Sequence, residues 1–281
     1  MTISRILCGG ALLEASAALF AARLVGAVLA LAIQVVLARL MPAADLGLYF
    51  FATSLATVLA VLAAAGYPQG VARYLTRYRA LARERMATAF LRCAKHDVAK
   101  LAIGLATAAI AVGYAASDLR TTIAVGVAAT AIPLIALTLL FGAVANVRRQ
   151  FLLASLPEFL LRPGGMLLAV AAMAWLGVVP TVPTLLSVFV VLCLGVTVIQ
   201  AARLAPHQTP SVREGIVSRN RVRSWRASVY PLVTLSLFTA LFADVATIAA
   251  SPFLARGDLA VLAICLKISL LIGFVIHRET C

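Results

Sequence analysis

Four polar residues stand inside long apolar stretches of the sequence, where charged and amide side chains are rare. Arg23 lies about one turn inside the first stretch, Asp244 near the middle of the seventh and Lys267 near the middle of the eighth. Charged side chains at such depths usually face a polar interior or the path of a substrate or ion. Arg23 and Lys267 are therefore candidates for binding an anion, Asp244 for binding a cation or proton, and Gln34 is a weaker polar candidate.

Each of these residues also has a purely structural interpretation. Arg23 is close enough to the end of its stretch for its long side chain to reach the headgroups. Asp244 and Lys267 could neutralise each other across a helix pair, and Gln34 could hydrogen-bond a neighbouring helix. Glu158 and Arg162 are four residues apart, so on an α-helix they share a face and can form an ion pair.

Residues that would catalyse a reaction or bind a metal are scattered along the chain. The three histidines, His96, His207 and His277, lie in loops or at the edges of apolar stretches, without a His-x-x-His pattern. The five cysteines have no metal-binding spacing, and neither Gly-Gly pair belongs to a phosphate-binding loop. A membrane enzyme needs a cluster of carboxylates or histidines at one leaflet. We therefore expect no enzyme, no metal, no cofactor and no ATP-binding site.

The composition predicts the elements that position these residues. The chain has 281 residues, 63% hydrophobic and 12% charged, with a mean hydropathy of +1.05. Soluble domains are about half apolar and about a quarter charged, so a soluble enzyme and a disordered chain are excluded. Continuous runs rich in Ala, Leu and Val favour helices over the strands of a β-barrel, and Pro133 and Pro231 predict kinks. The prediction is an all-α, polytopic membrane protein with about eight transmembrane helices, at 17–40, 46–65, 98–116, 121–145, 160–178, 182–202, 228–251 and 258–277.

The distribution of charge predicts the orientation of these spans. Lys and Arg total 24 against 10 Asp and Glu, a net charge of +14. Loops 66–97, 146–159 and 203–227 hold most of the arginines, whereas the opposite loops hold only Arg39, Arg120 and Arg256. This positive-inside bias predicts a cytoplasmic N-terminus. It explains the surplus charge by attraction to anionic membrane lipids, without nucleic acid.

An amphipathic helix is predicted between the second and third spans, over residues 73–95. Its apolar residues recur at spacings of three or four with arginines between them, as in a helix that lies on the inner leaflet. These apolar residues are Leu75, Tyr78, Ala82, Met86 and Phe90. A solvated basic loop is the alternative interpretation.

A short pattern recurs after the last basic loop. The sequence L-A-R at 37–39 precedes a turn and Asp45 at the start of the second span, and L-A-R at 254–256 precedes Asp258 at the start of the eighth. Both aspartates stand where helix N-caps are expected. Repeats with parallel topology are typical of transporters whose substrate path lies between the repeats.

A series of further motifs runs through the first part of the chain: R-L-V-G at 23–26, V-L-A-R at 36–39, D-L-G-L-Y at 45–49, A-G-Y at 65–67 and R-Y at 73–74. Together they resemble the opening of lipopolysaccharide and polysaccharide flippases, in the multidrug/oligosaccharidyl-lipid/polysaccharide exporter superfamily. Pro157-Glu158 with L-R-P at 161–163 is similar to the start of the fifth helix in some members. Asp244 stands where the second half of such proteins often carries an aspartate.

The resemblance implies a transporter of the bacterial inner membrane that works by alternating access. The implied substrate is a lipid-linked oligosaccharide, a polyprenyl-diphosphate glycan for surface polysaccharide or lipopolysaccharide biosynthesis. Arg23 would contact the diphosphate, Lys267 would supply a second cation, and Asp244 would couple to a cation or proton. A drug or small-molecule exporter is the alternative. It predicts more acidic residues in the first lobe, where only Glu14 lies near a span.

The chain departs from this family in its extent, since the family has two six-helix lobes. It comprises a six-helix transmembrane lobe (1–205), a basic cytoplasmic linker (206–227) and the first two helices of an incomplete second lobe (228–281). The expectation is a truncated product, because the eighth helix would otherwise lack its usual partners. A non-transporting remnant of a flippase and a homodimer that completes the cavity wall are the other interpretations.

Overall fold

A computed structural model describes residues 3–116, 118–204, 218–240 and 242–276, with the backbone alone at 3–20, 23, 116, 237–240, 242–243, 267–268 and 270–276. All regular structure in these ranges is helical. The elements are α1 (Ile3–Leu40), α2 (Ala43–Ala64), α3 (Tyr67–Ala80), α4 (Glu84–Ala116), α5 (Leu119–Ala129), α6 (Ala131–Val147), α7 (Phe151–Leu156), a π-helical turn (Pro157–Leu161), α8 (Arg162–Trp175), α9 (Val182–Leu204), α10 (Arg219–Val229), α11 (Leu232–Ala240), α12 (Phe242–Ala250) and α13 (Arg256–Ile276).

Several helical segments in the described part of the chain are long and apolar enough to cross a bilayer. Five meet this criterion, and a shorter apolar helix occupies Leu24–Leu40. The five are Ala43–Ala80, Glu84–Ala115, Leu119–Val147, Phe151–Trp175 and Val182–Leu204. They coincide with the second to sixth predicted spans, so the prediction of an all-helical chain of the multi-pass membrane type is confirmed. Eight crossings and a cytoplasmic N-terminus stay predictions.

Helix α2 joins the N-terminal helices to the C-terminal ones. It packs against α4, α5, α6 and α9, and also against α11, α12 and α13. Small side chains allow this close packing, since Ala52, Ala56, Ala60 and Ala63 are all buried. At its first turn, a Cβ atom on Gly47 would overlap the carbonyl oxygen of Arg256. The glycine therefore lets α13 begin directly against α2.

The helices break near two prolines and at a glycine. Pro133 follows the break between α5 and α6 at Thr130, and Pro231 lies between α10 and α11, so a helix boundary lies at or near each proline where a kink is predicted. Helix α2 ends at Ala65 and Gly66, whose φ angles are 51° and 72°. A Cβ on Gly66 would overlap the carbonyl oxygen of Val229, so the same glycine admits α10 and permits a left-handed turn.

The single amphipathic helix predicted over 73–95 is wrong in its extent and its surroundings. Helix α3 ends at Ala80 and α4 begins at Glu84, with Ala82 at a φ angle of 51° between them. Leu75, Tyr78 and Phe90 are buried, since α3 packs against α4 and α6. Their apolar face is covered by protein.

Two further corrections concern the repeated pattern and the linker. Asp45 and Asp258 are each the third residue of their helix, α2 and α13, so neither is an N-cap; Pro42 precedes α2. Both acidic groups still lie in the first turn, where they complement the helix dipole. Residues 219–227 of the predicted linker belong to α10, with Trp225 buried. Residues 205–217 lie outside the described part.

Candidate functional site

A cavity of about 640 Å³ lies among the membrane-length helices. Its walls come from α1, α2, the π-helical turn and α8, with one residue each from α9 and α12. The lining is mostly apolar, and its polar members are Gln34, Tyr49, Thr53, Thr57, Glu158, Arg162 and Asp244. Cavities of roughly 300–1,000 Å³ with a few polar groups are typical of small-molecule sites. This cavity is therefore the candidate binding site.

Helix α1 supplies one long wall of the cavity. Gly26, Ala30, Ile33 and Leu37 all line it, at the spacing of three or four residues that marks one helix face. A Cβ on Gly26 would overlap the carbonyl oxygen of Phe159. The glycine of the R-L-V-G motif therefore lets α1 contact the backbone of the π-helical turn.

Asp244 is one of the sequence-predicted residues that the structure brings to the cavity. It is half-buried in the first turn of α12. Its Oδ1 accepts a 2.8 Å hydrogen bond from the hydroxyl of Ser54 on α2. The carboxylate thus links a C-terminal helix to the central helix at the cavity wall.

Gln34 is the second predicted residue at the cavity. Its side chain is only 6% exposed, and its Oε1 atom has no hydrogen-bond partner. Buried polar atoms are almost always hydrogen-bonded in folded proteins. Thr53 and Thr57 donate their hydroxyl hydrogens to the carbonyl oxygens of Tyr49 and Thr53. These positions therefore offer the cavity hydrogen-bond acceptors.

The predictions for Arg23 and Lys267 stay untested by geometry. Arg23 belongs to α1, one turn before Gly26, and Lys267 belongs to α13. Their side chains lie outside the described residues. The proposed neutralisation of Asp244 by Lys267 has the same status.

Arg162 is a cavity residue whose importance the sequence reasoning missed. Its guanidinium carbon lies 5.4 Å from the centre of the Phe189 ring, a cation–π arrangement. Its Nε and Nη2 atoms are buried and have no hydrogen-bond partner. An arginine near the start of an apolar span is a recognisable signal in the sequence, but its four-residue spacing from Glu158 favours an interfacial ion pair instead.

Glu158 and Arg162 share the cavity, as their spacing predicted, but they do not form the expected ion pair. No salt bridge joins these two described residues. A spacing of four residues brings two side chains together on an α-helix, whereas Pro157–Leu161 form a π-helical turn. Such turns are rare and often occur at functional sites. The carboxylate of Glu158 and the guanidinium of Arg162 therefore both line the cavity without pairing with each other.

A second polar cluster lies where α10 meets α3 and α4. Arg226 donates from Nε and Nη2 to the two carboxylate oxygens of Asp97, at 2.7 and 2.6 Å. The hydroxyl of Tyr67 donates to the same carboxylate at 2.5 Å. These hydrogen bonds raise the pKa of the Arg226 guanidinium further above its usual value. A further hydrogen bond runs from Trp225 Nε1 to the Tyr78 hydroxyl at 2.9 Å. The cluster therefore links α10 to α3 and α4.

Neither cluster is a metal site. Within the part of the chain that the structure describes, no three His, Cys, Asp or Glu side chains are grouped so that they could hold a metal ion. The cavity instead combines separate charges with apolar walls.

No family model matches the chain, and no curated protein or solved structure is detectably similar to it. The interpretation of the cavity therefore depends on its own residues.

Proposed function

We propose that this protein is a membrane transporter that moves a lipid-linked oligosaccharide, a polyprenyl-diphosphate glycan, across the bacterial inner membrane for surface polysaccharide or lipopolysaccharide biosynthesis. The observation that carries the proposal is the cavity among membrane-length helices, in which three buried polar atoms, Gln34 Oε1 and Arg162 Nε and Nη2, have no hydrogen-bond partner. A ligand would supply those partners. The sequence motifs that resemble those of flippases also support this proposal.

The distribution of donors and acceptors in the cavity suits the two parts of such a substrate. Arg162 offers unpaired guanidinium donors, and a planar guanidinium binds phosphate oxygens well. Gln34 Oε1 and the threonine oxygens offer acceptors, which sugar hydroxyl groups can satisfy. In this proposal Arg23 and Lys267 add positive charge for the diphosphate, and Asp244 couples transport to a cation or proton.

A cation or drug exporter is the second candidate, and a specific observation favours it. Two carboxylates, Glu158 and Asp244, line the cavity against one described guanidinium, Arg162. Aromatic rings of Tyr49, Phe159 and other lining residues add surfaces that attract organic cations. Glu158 places an acidic group of the first lobe at the cavity, in addition to Glu14, the acidic residue that the sequence analysis considered there.

Binding to the purified protein in detergent distinguishes the two functions. The probes are undecaprenyl diphosphate and the organic cation tetraphenylphosphonium. We expect the diphosphate to bind and Arg162→Gln to weaken it roughly 10- to 100-fold, because a charge-assisted hydrogen bond contributes about 1.5–3 kcal/mol. Arg77→Gln is the matched control, since it removes the same charge from an exposed side chain of α3. It should bind as the unmodified protein does.

Two results would contradict the flippase proposal. One is diphosphate binding that Arg162→Gln and Arg77→Gln weaken equally, since that would make the attraction a property of the whole surface. The other is strong binding of the organic cation that Glu158→Gln abolishes, which would favour the exporter. Proteoliposomes that bind the diphosphate without transferring it between leaflets would identify a non-transporting protein.

A further inference from the structure

A group of three cations, which we call the basic notch, lies away from the cavity. It consists of Arg79 on α3, Lys95 on α4 and Arg148 directly after α6. Two membrane-length helical segments end here, at Val147 and Leu204, and α3 ends beside them at Ala80. With these segments across a bilayer, the basic notch would stand at the depth where hydrocarbon gives way to headgroups.

Hydrogen bonds to the ends of these helices hold the two arginines of the notch. Arg79 donates from Nη1 to the carbonyl oxygen of Val147 at 3.4 Å, and Arg148 donates from Nη1 to that of Leu204 at 3.0 Å. Lys95 lies close enough to Arg148 for their charges to interact, and its Nζ is 5.4 Å from the centre of the Phe141 ring on α6. The contacts fix the positions of the charges while leaving most donors of each group unused.

The positive charge of the notch is not balanced by the described residues. In the described ranges, no ion pair joins Arg79, Lys95 or Arg148 to a carboxylate. Asp97 follows Lys95 by two residues on α4, but it is paired with Arg226. The Nε atom of Arg148 is buried without a partner. Burial, and after it the nearby charge of Arg79, lower the pKa of the Arg148 guanidinium, so the two arginines lie close enough to repel each other.

Capping of helix ends explains only part of this arrangement. A cation near the last carbonyl groups of a helix is favourable, and Arg79 and Arg148 each serve one helix in this way. Lys95 caps no helix, because it lies within α4. A bound anion would offset the repulsion between Lys95 and the two arginines.

We propose that the basic notch binds the phosphate group of an anionic phospholipid in the leaflet at that end of the protein. Basic pockets between transmembrane helices are known to suit anionic headgroups. The helix ends set the depth of the notch at the lipid phosphates, which favours a lipid over a soluble anion. The site is separate from the cavity and does not depend on what the cavity transports.

The test compares two variants that lose the same charge. One carries Arg79→Gln, Lys95→Gln and Arg148→Gln; the other carries Arg73→Gln, Arg77→Gln and Arg85→Gln, all at exposed positions. The thermal midpoint Tm of each full-length protein in detergent is measured with phosphatidylglycerol, with phosphatidylcholine and with inorganic phosphate. A ligand that binds only the folded state raises Tm, and the rise grows with the logarithm of the ligand concentration relative to its Kd. We expect phosphatidylglycerol to raise Tm for the unmodified protein and the exposed-site variant, and the notch variant to lose at least half of that rise.

The single variant Lys95→Gln guards against a folding defect, because Lys95 makes no hydrogen bond to a helix end. It should keep the Tm measured in phosphatidylcholine and lose part of the rise with phosphatidylglycerol. An equal loss in the exposed-site variant would overturn the proposal, since it would indicate diffuse surface charge. So would equal effects of phosphatidylglycerol and phosphatidylcholine. A rise with inorganic phosphate as large as that with the lipid would assign the notch to a soluble anion.

Discussion

The ion pair between Asp97 and Arg226 is exposed unequally. The side chain of Asp97 is 6% exposed, whereas that of Arg226 is 43% exposed. Removing the arginine leaves a buried carboxylate with the Tyr67 hydroxyl as its remaining strong donor. Removing the negative charge leaves an arginine that water can reach. The two changes therefore differ in cost, since an unpaired buried charge is far less favourable than an exposed one.

This asymmetry predicts the order of stability of two variants. Arg226→Gln should destabilise the protein by about 2 kcal/mol and Asp97→Asn by about 1 kcal/mol, on the scale of hydrogen bonds to charged groups. The measurement is the thermal midpoint in detergent. Arg223→Gln, an exposed change on the same helix, should have little effect. The reverse order would mean that the carboxylate is not stabilised mainly by Arg226.

Only some residues of the candidate site can be recognised from their type and position in the sequence. Asp244 and Gln34 were identifiable because polar groups are conspicuous within apolar stretches, and both line the cavity. Arg162 was assigned to an ion pair because a π-helical turn leaves no clear mark in the sequence. Asp97 has its partner 129 residues away, and no local pattern can connect such positions.

At the scale of elements, the α3–α4 hairpin shows how a periodic pattern can persist across a turn. Leu75, Tyr78, Met86 and Phe90 keep helical spacing, so the sequence predicted one helix. Ala82 interrupts it with a left-handed backbone, a conformation that costs an alanine about 1 kcal/mol. Packing against α6 compensates for this cost, and hydrophobic periodicity contains no information about such a partner.

The left-handed turn predicts a stabilising substitution. Ala82→Gly should raise the free energy of unfolding by about 0.5–1 kcal/mol, because glycine adopts this backbone freely and the exposed methyl group makes little contact. Ala72→Gly is the control, at an exposed position inside the preceding helix, where glycine should destabilise by about 0.5–1 kcal/mol. Thermal unfolding of the two variants in detergent measures both changes. A lower midpoint for Ala82→Gly than for Ala72→Gly would contradict the assigned turn.

At the scale of the whole molecule, the central position of α2 decides how the two parts of the chain meet. Gly47 and Gly66 lie near its two ends, and each admits backbone from a C-terminal helix. Hydropathy predicted the approximate bounds of five membrane-length helical segments in the N-terminal part, since length and composition determine whether a segment suits lipid. It could not predict which helices become neighbours, because small residues occur on many faces of this alanine-rich chain.

The contact at Gly47 predicts opposite effects for two identical substitutions. Gly47→Ala should destabilise the protein by about 1–3 kcal/mol, since the added Cβ would force α13 away from α2. Gly126→Ala meets no atom within 4 Å, so it should stabilise α5 by roughly the helix propensity difference of about 0.8–1 kcal/mol. The comparison is made by thermal unfolding in detergent. Equal midpoints for the two variants would show that α13 does not begin against Gly47.

The hydrogen bond between Ser54 and Asp244 also bears on how the protein is made. The two residues are 190 positions apart, and synthesis runs from the N-terminus, so α2 is complete long before Asp244 leaves the ribosome. A carboxylate that enters lipid alone is costly, whereas one that meets a waiting hydroxyl group is partly compensated. Where the last helices enter the bilayer as predicted, their integration would depend on the earlier insertion of α2, and the nascent chain would assemble in a fixed order.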